Sequence, residues 1–292
     1  MNFVGSIYKK HYKKLLIIPM LLLLLAIGQI IFQISTTGDF INKGISLKGG
    51  TTITIAENIN QQDIENILKQ HLPNSEFNIR TISNLDQTQG VIIDIELTES
   101  GKIVSIIDEI ESNVGELKDY TVENIGSSLG ASFFRDTVKA MIFAFIFMGI
   151  VVFYYFRIPV PSFAVILAAF SDIVVSIAIV NLLDIKVGTA GIAAFLMLIG
   201  YSVDTDILLS TRVLKRKEGT VYDRVLSAMK TGLTMNFTTL SALLVAIYFT
   251  NSEVMSQIMT ILLIGLVVDI INTWIQNAGI LRWYMEKKHN EN

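Results

Sequence analysis

The stretch GYSVDTD, residues 200–206, places two carboxylates inside an otherwise apolar segment, residues 187–210. A segment of about 20 apolar residues is long enough to cross a bilayer as a helix. An Asp near the bilayer centre costs about 2.5–3.5 kcal/mol on insertion scales. Two further acids, Asp172 and Asp269, lie near the centres of two other apolar segments. The sequence therefore predicts a polar pathway through a membrane helix bundle, one that takes up and releases protons.

Apolar residues make up 51% of the 292 residues, so we expect the bilayer to be the main solvent. Basic residues precede the first apolar segment, as in a signal peptide, but its core is too long and no A-x-A site follows it. A retained helix is therefore predicted. The backbone must satisfy its own hydrogen bonds in a bilayer, which favours helices. The predicted spans 1 to 6 are residues 15–34, 138–156, 160–183, 187–210, 232–250 and 257–281.

Lys and Arg residues indicate the orientation. They concentrate before span 1, between spans 2 and 3, between spans 4 and 5 and after span 6, whereas the opposite short loops hold only Lys186. Loops rich in Lys and Arg stay in the cytoplasm. We therefore expect a multi-pass protein of the cell membrane with residues 1–14 and 282–292 in the cytoplasm and residues 35–137 outside.

Residues 35–137 have the pattern of a folded α+β domain. Strands are predicted over residues 45–55 (broken at Gly49-Gly50), 76–82, 91–97 and 120–125, and helices over residues 61–71 and 100–114. This β-α-β-β-α-β order suggests a ferredoxin-like domain. A Gly-Ser segment, residues 126–130, precedes span 2, and it is either a flexible hinge or a docking site.

Polar and small residues form stripes on four of the spans, because positions three and four apart share a helix face. Small residues let helices approach closely and polar residues find partners between helices, so we expect the stripes to face the bundle interior. Hydrogen bonding for packing alone remains an alternative for the Ser, Thr, Asn and Gln residues. The stripes are Ala168, Asp172 and Ser176 in span 3; Ala193, Met197, Gly200, Asp204 and Thr211 in span 4; Thr231, Thr234, Thr238 and Ser241 in span 5; and Gly265, Asp269, Asn272, Gln276 and Gly279 in span 6.

Among the acids, Asp204 is the favoured proton carrier. It lies about 200° from Asp206 round a helix of 3.6 residues per turn, so the two carboxylates cannot serve one site as equals. Asp206 is either functional, an interfacial helix cap, or a partner of Arg212. Asp172 is expected to assist Asp204, and Asp269 either titrates or holds helices together. The nearest basic candidate for pairing with these acids is Lys230, at the edge of span 5.

Several function classes find no support. The chain has no cysteine, so it has neither a disulfide framework nor a thiolate metal site. No G-x-x-x-x-G-K-[ST] loop is present, so direct use of ATP is not expected. A net charge of −3 gives no signal for nucleic acid. No cofactor, metal or enzymatic activity is predicted. An intramembrane aspartyl protease would need Tyr-Asp and G-x-G-D, whereas Asp172 follows Ser and Asp204 follows Val.

Six different short motifs lie along the chain: SDI at 171–173, IGYSV at 199–203, GISLKGGT at 44–51, IGSSLG at 125–130, TTL at 238–240 and GLVV at 265–268. Together they resemble the motifs of the SecF family, membrane subunits of the Sec protein-export machinery in the RND superfamily. The resemblance covers essentially the whole chain. The motif residues it assigns are Gly49, Gly50, Gly126, Gly130, Gly200, Tyr201, Arg212 and Gly265.

The chain also departs from the bacterial pattern of this family. Asp204-Thr205-Asp206 replaces Asn-Asp-Thr, and Thr231, beside Lys230, falls where the family has an Arg. Ser46 replaces an Asp of the first glycine motif, and Asp269 stands where Gly is frequent. The pattern is similar to that of the archaeal branch. It leaves the bacterial proton relay open, residue by residue.

The resemblance implies an auxiliary subunit of the Sec translocase. It implies pairing with SecD in a twelve-helix unit. The expected further partners are the SecYE translocon, the translocating secretory polypeptides and membrane lipids. The resemblance also implies use of the proton motive force. Two alternatives remain open, a structural subunit without ion movement and an RND-type transporter of small solutes. The candidate proton-relay residues are Asp204, Asp172, Asp206, Asp269, Lys230 and Thr238.

Overall fold

The computed structural model of the chain describes residues 11–290, apart from residues 58, 73–76, 85–86, 98, 118, 217 and 251. Of the segments predicted to be cytoplasmic, residues 1–10, Lys217 and residues 291–292 lie outside the described residues.

The described residues contain six helices long and apolar enough to cross a membrane, which makes the chain a multi-pass membrane protein. Spans 1 to 5 are single α-helices, whereas span 6 changes from α to π geometry and back. These helices are α1 (Ile17–Thr37), α5 (Ser127–Phe156), α6 (Pro159–Leu182), α7 (Thr189–Lys215) and α8 (Val221–Phe249), followed by α9 (Glu253–Ile271), a π-helix (Asn272–Asn277) and α10 (Ala278–Asn290).

Several helices extend beyond the apolar segments that mark them in the sequence. Helix α8 starts at Val221, well before residue 232, because its polar first turns are capped. The Thr220 hydroxyl accepts a bond from the Asp223 amide at 3.2 Å, and the Asp223 carboxylate accepts one from the Thr220 amide at 3.0 Å. This reciprocal capping box fixes the helix start outside the hydrocarbon.

The segment between α1 and α5 folds into a small α+β domain, here called the outer domain. Its sheet has the order β2-β3-β1-β4 with all neighbouring strands antiparallel, which confirms the predicted β-α-β-β-α-β arrangement. The elements are α2 (Ile45–Lys48), β1 (Gly50–Ile55), α3 (Gln61–His71), β2 (Phe77–Asn84), β3 (Gln87–Ile95), α4 (Ser100–Val114) and β4 (Tyr120–Ile125).

Helices α3 and α4 cover one face of this sheet and form an Ile-rich core with it. The core includes Ile53, Ile93, Ile64 and Ile110, each fully buried. The opposite face carries polar residues such as Thr52 and borders a cavity of about 490 Å³ above the helix bundle. The outer domain therefore has its own core and turns a polar face toward the membrane part.

The strand predicted over residues 45–55 is wrong in its first half. Ile45–Lys48 forms one helical turn, and the strand starts only at Gly50. The chain changes direction at Gly49 and Gly50, whose φ angles are +88° and +143°. Side chains rarely adopt such angles, so the two glycines permit the turn between helix and strand.

The flexible hinge considered for residues 126–130 is also wrong, because Ser127 begins helix α5. The alternative, a docking role, fits the contacts of Gly130. A Cβ at Gly130 would lie 2.9 Å from the Gly49 nitrogen and 3.0 Å from the Leu47 oxygen. The first turn of α5 therefore packs directly on the glycine turn of the outer domain. No heavy atom lies within 4 Å of a Cβ built at Gly126.

A hydrogen-bonded joint connects the outer domain to the loop between α6 and α7. The Gly44 amide donates to the Val187 carbonyl at 2.8 Å, and the Val187 amide donates to the Asn42 carbonyl at 2.7 Å. The Asn42 amide donates to Asn181 Oδ1 at 3.0 Å, and the Thr189 amide donates to Ser46 Oγ at 3.2 Å. This joint, residues 42–46 with residues 181–191, ties the domain to the two helices that carry Asp172 and Asp206.

Candidate functional site

Three carboxylates meet in the centre of the helix bundle. Asp172 lies on α6, Asp206 on α7 and Asp269 on α9, and each is 0% exposed. We call these residues the acid cluster. A buried carboxyl group needs partners or a proton to offset the loss of hydration. Its neighbours therefore decide what the cluster can do.

Asp172 is held by hydrogen bonds from two other helical segments. The Ser202 hydroxyl of α7 donates to Asp172 Oδ2. The Asn272 amide, at the start of the π-helix, donates to Asp172 Oδ1 at 2.8 Å. Both carboxyl oxygens thus have a donor, and the contacts join α6, α7 and span 6.

Asp206 and Asp269 share the hydroxyl group of Thr273. Thr273 Oγ1 lies 3.0 Å from Asp206 Oδ1 and 2.9 Å from Asp269 Oδ1. The Asn277 amide donates to Asp206 Oδ1 at 2.7 Å, and the Asn236 amide of α8 donates to Asp269 Oδ2 at 3.1 Å. Thr273 is therefore the bridge between two buried carboxyl groups.

This bridge requires a proton. A threonine hydroxyl has one hydrogen and can donate to only one of the two carboxyl groups. It can accept a hydrogen bond from the other group only if that carboxyl is protonated. Both contacts are satisfied when one of Asp206 and Asp269 is protonated. Its O–H group then donates a hydrogen bond to the Thr273 hydroxyl, which donates its own to the other carboxylate.

Within the described residues, no Lys, Arg or His forms a salt bridge with the acid cluster. Arg212 instead donates to the carbonyl and hydroxyl of Ser227, at 2.5 and 3.0 Å, so its predicted pairing with Asp206 is wrong. Lys230 is exposed. Over the same described residues, no group of three His, Cys, Asp or Glu could hold a metal ion.

Several buried polar atoms around the site lack a hydrogen-bond partner among the described residues, and the hydroxyls of Ser176 and Ser210 are two of them. Five buried oxygens around the cluster have no hydrogen-bond partner within the described protein: Asp206 Oδ2, Asn236 Oδ1, Asn272 Oδ1, Gln276 Oε1 and Asn277 Oδ1. A buried polar atom without a partner costs about 1–3 kcal/mol. All five accept hydrogen bonds, so a donor from water, from a hydroxyl or from a protonated carboxyl group would satisfy them.

The surroundings differ on the two sides of the cluster. Toward the outer domain, α7 and α9 contribute the fully buried apolar side chains of Phe195, Leu198 and Ile261. Toward the chain termini, one turn past Asp206, the buried Ser210 hydroxyl has no partner among the described residues. Ser210 is thus a polar position on that side, among buried apolar residues that include Leu209, Val213 and Leu281.

The π-helix explains why so many polar groups reach one site. A π turn contains more residues than an α turn, and such segments are frequent at functional sites. Asn272, Thr273, Gln276 and Asn277 are all buried here, although an α-helix would spread them over a wider arc. The Gln276 amide donates to Ser171 Oγ at 3.1 Å, which extends the network to α6.

The predicted stripes of spans 3 and 6 do lie inside the bundle. The stripe of span 4 does not, because Ala193, Met197, Gly200 and Asp204 are all exposed. Among the described residues, no atom outside the α7 helix itself lies within 4 Å of the position that a Cβ at Gly200 would take. The expectation that Asp204 joins the interior acids is therefore wrong. Helix α7 instead turns the face of Ser202 and Asp206 inward.

The stripe of span 5 is misplaced in the same way. Thr234, Thr238 and Ser241 are exposed, and their hydroxyls donate to carbonyls of their own helix. The motif residue Tyr201 bonds Thr239, which places α7 beside α8 near this face. The interior residue of α8 is Asn236, which the stripe analysis missed.

Sequence reasoning missed Ser202, Thr273 and Asn277 as well. A signal for them was present, since Ser202 precedes Asp206 by four positions, and Asp269, Thr273 and Asn277 are also spaced by four. Positions four apart lie on one face of a helix. The motif residue Gly265 has a packing role, because a Cβ there would contact the Leu198 side chain.

Comparison with known proteins gives a consistent family. Residues 105–287 match the family "Protein export membrane protein SecD/SecF, C-terminal". The "Protein-export membrane protein SecF" of Pyrococcus furiosus is 38% identical over 280 residues, with 96% of this chain and 93% of the relative covered. The protein of that name from Methanocaldococcus jannaschii is 40% identical over 289 residues, with 94% and 96% covered.

A solved structure has the same fold. The crystal structure of SecDF from Thermus thermophilus, described as a translocon-associated membrane protein, gives a TM-score of 0.72 at 21% identity. It covers 98% of this chain, but the chain spans only 39% of the SecDF chain. A second SecDF structure, in a super-membrane-facing form, gives a TM-score of 0.62 at 20% identity.

Proposed function

The chain belongs to the SecD/SecF family of protein-export membrane proteins, on its SecF side, and from this membership we propose a specific role. It pairs with SecD, assists the SecYE translocon in exporting secretory polypeptides across the cell membrane, and uses the proton motive force through the acid cluster. Both termini lie in the cytoplasm and the outer domain lies outside. The observation that carries the proton step is the Thr273 hydroxyl shared by Asp206 and Asp269.

Pairing with SecD is supported by the exposed faces of α7 and α8. Asp204 and Gly200 on α7, and Thr234 and Thr238 on α8, point away from the chain's own bundle. An Asp in contact with lipid costs several kcal/mol, whereas a partner helix can supply donors to it. The part of SecDF that this chain does not span is where such a partner would belong. Asp204 thus belongs to the SecD interface.

The proton step follows from the balance of charge in the cluster. With a proton between Asp206 and Asp269, Thr273 satisfies both carboxyl groups and the helices stay packed. Loss of that proton leaves a further buried negative charge with no basic partner, which favours entry of water and separation of the helices. Protonation thereby shifts the bundle between two arrangements, as a switch requires.

The joint carries this shift to the outer domain. Gln257 of α9 accepts bonds from the amides of Gly188 at 3.2 Å and Gly191 at 3.0 Å, and donates to the Lys186 carbonyl at 2.6 Å. The same loop pairs with the chain just before the first strand of the domain. A movement of α7 against α9 therefore moves the base of the outer domain. One charge crossing 100 mV supplies about 2.3 kcal/mol, enough to shift such an equilibrium.

The test of the proton step uses the chain together with SecD and the translocon in inverted membrane vesicles. Asp206→Asn keeps the shape of the side chain and removes the exchangeable proton. We expect it to abolish the part of export that depends on an imposed proton gradient and to preserve the rest. Asp136→Asn, a change at an exposed acid of α5, is the control and behaves as wild type. If export by the Asp206→Asn variant depends on the proton gradient as strongly as wild-type export does, the proton step is wrong and the chain is a structural subunit without ion coupling.

The SecD interface is tested separately by co-purification. Asp204→Leu removes the polar group from the exposed face of α7 and is expected to reduce the SecD recovered with the chain. Thermal unfolding of the isolated chain should change little, because Asp204 is exposed. Equal recovery of SecD with wild type and variant would place the interface elsewhere.

A further inference from the structure

A groove on the membrane-facing surface runs along α5 and is independent of the acid cluster. It has a volume of about 540 Å³ and an apolar wall that ends at a single charged residue. Its lining consists of Ile146, Gly149, Ile150, Phe153, Tyr154 and Arg157, with Ile166 of α6 on the opposite side. Gly149 adds no side chain to the floor, so the groove stays open at its middle.

The length of the groove matches one leaflet of a bilayer. Ile146 and Arg157 are separated by eleven residue steps, which at 1.5 Å per residue correspond to about 16 Å along the helix. Half of the hydrocarbon core of a bilayer is about 15 Å. The groove therefore extends from near the bilayer centre to the surface on the terminal side, the span of one acyl chain.

Arg157 lies at the surface end of the groove, beside an aromatic ring. It ends α5 with a φ of +53°, and its guanidinium lies 5.2 Å from the centre of the Tyr154 ring. An aromatic ring beside an arginine favours one orientation of the guanidinium. Aromatic residues with Arg are also typical of the level of lipid headgroups.

The charge of Arg157 is not neutralised within the described part of the chain, where it forms no salt bridge. A guanidinium presents a planar pair of donors that suits a phosphate group. The groove thus offers an apolar channel of one-leaflet length with an anion-binding group at its mouth. We propose that it binds a phospholipid with an anionic headgroup, with one acyl chain between α5 and α6 and the phosphate on Arg157.

The proposal is tested by titrating the purified full-length chain in detergent and counting bound lipid by native mass spectrometry. The probes are phosphatidylglycerol, phosphatidylcholine with the same chains, and glycerol 3-phosphate without chains. We expect phosphatidylglycerol to bind most tightly and glycerol 3-phosphate not to bind. Arg157→Gln should weaken the binding of phosphatidylglycerol about fivefold, the effect of one basic residue near an anionic membrane surface.

Two matched variants make the result specific. Arg216→Gln removes one exposed positive charge on the same side of the membrane, outside the groove, and should leave the dissociation constant unchanged. Gly149→Leu fills the groove and should weaken both phospholipids. The proposal is overturned if Arg157→Gln and Arg216→Gln weaken the binding of phosphatidylglycerol equally. Tight binding of glycerol 3-phosphate would overturn it as well. Arg157→Gln alters an exposed residue, so it decides the question even if Gly149→Leu fails to fold.

Discussion

Replacing Thr273 by Val tests the bridge between Asp206 and Asp269 most simply. Valine keeps the volume and the branched Cβ of threonine but has no hydroxyl. Asp206 Oδ1 retains the amide of Asn277 at 2.7 Å, whereas Asp269 Oδ1 loses the Thr273 hydroxyl and Asp269 Oδ2 keeps the amide of Asn236 at 3.1 Å. A buried group that loses its partner costs about 1–3 kcal/mol. We therefore expect the free energy of unfolding to fall by about 2 kcal/mol, chiefly through Asp269.

The assay is thermal or denaturant unfolding of the chain in detergent, with Thr205→Val as the control. Thr205 is also buried, but within the described part of the chain its hydroxyl bonds only the Tyr201 carbonyl of its own helix, at 3.5 Å. The control should thus change stability by less than about 0.5 kcal/mol. In a double-mutant cycle with Asp269→Asn, we expect a coupling of about 0.5–3 kcal/mol. Equal stabilities of Thr273→Val and Thr205→Val would refute the bridge.

Two further predictions concern packing and the joint. Gly232→Ala places a methyl group on the Trp274 ring and should lower the free energy of unfolding by about 1–3 kcal/mol. Gly200→Ala should not lower it, because among the described residues only atoms of α7 itself lie within 4 Å of the added methyl group. Similar unfolding midpoints for the two variants would contradict the packing of α8 on the π-helix. Gln257→Leu removes the oxygen that accepts hydrogen bonds from the amides of Gly188 and Gly191. The rate of amide hydrogen exchange across residues 188–191 should therefore rise, and an unchanged rate would contradict the joint.

The sequence is a good guide to the outer domain and to the existence of the spans. Helices at Gln61–His71 and Ser100–Val114 and the strand at Tyr120–Ile125 lie where the periodicity predicts them. Each of the two helices has a clear apolar face because it packs on one side of the sheet. The misread segment, Ile45–Lys48, is apolar and short, and its conformation depends on the two glycines that follow.

The sequence is a poorer guide to the direction in which a polar stripe faces. Small and polar residues mark any close helix contact in a membrane, whether within the chain or with another chain. The stripe through Asp172 faces inward, whereas the stripe through Gly200 and Asp204 faces outward, and the composition of the two is alike. Only the packing of α7 against α6 and α9 decides which of Asp204 and Asp206 is buried.

The π-helix could not be anticipated from periodicity at all. A period of 3.6 residues separates Asn272 and Thr273 by about 100°, so only one of them would be assigned to the acid cluster. The wider turn brings both inside, and Thr273 then reaches two carboxyl groups. The residue most informative about protonation is thus one that no stripe contained.

Infrared difference spectroscopy of the carboxyl groups tests the central claim most directly. The purified chain at neutral pH should show the C=O band of a protonated carboxylic acid, shielded from solvent exchange. That band should disappear or shift in Asp206→Asn and Asp269→Asn and persist in Asp204→Asn, whose site is exposed. A spectrum in which every Asp is ionised at neutral pH would contradict the shared proton.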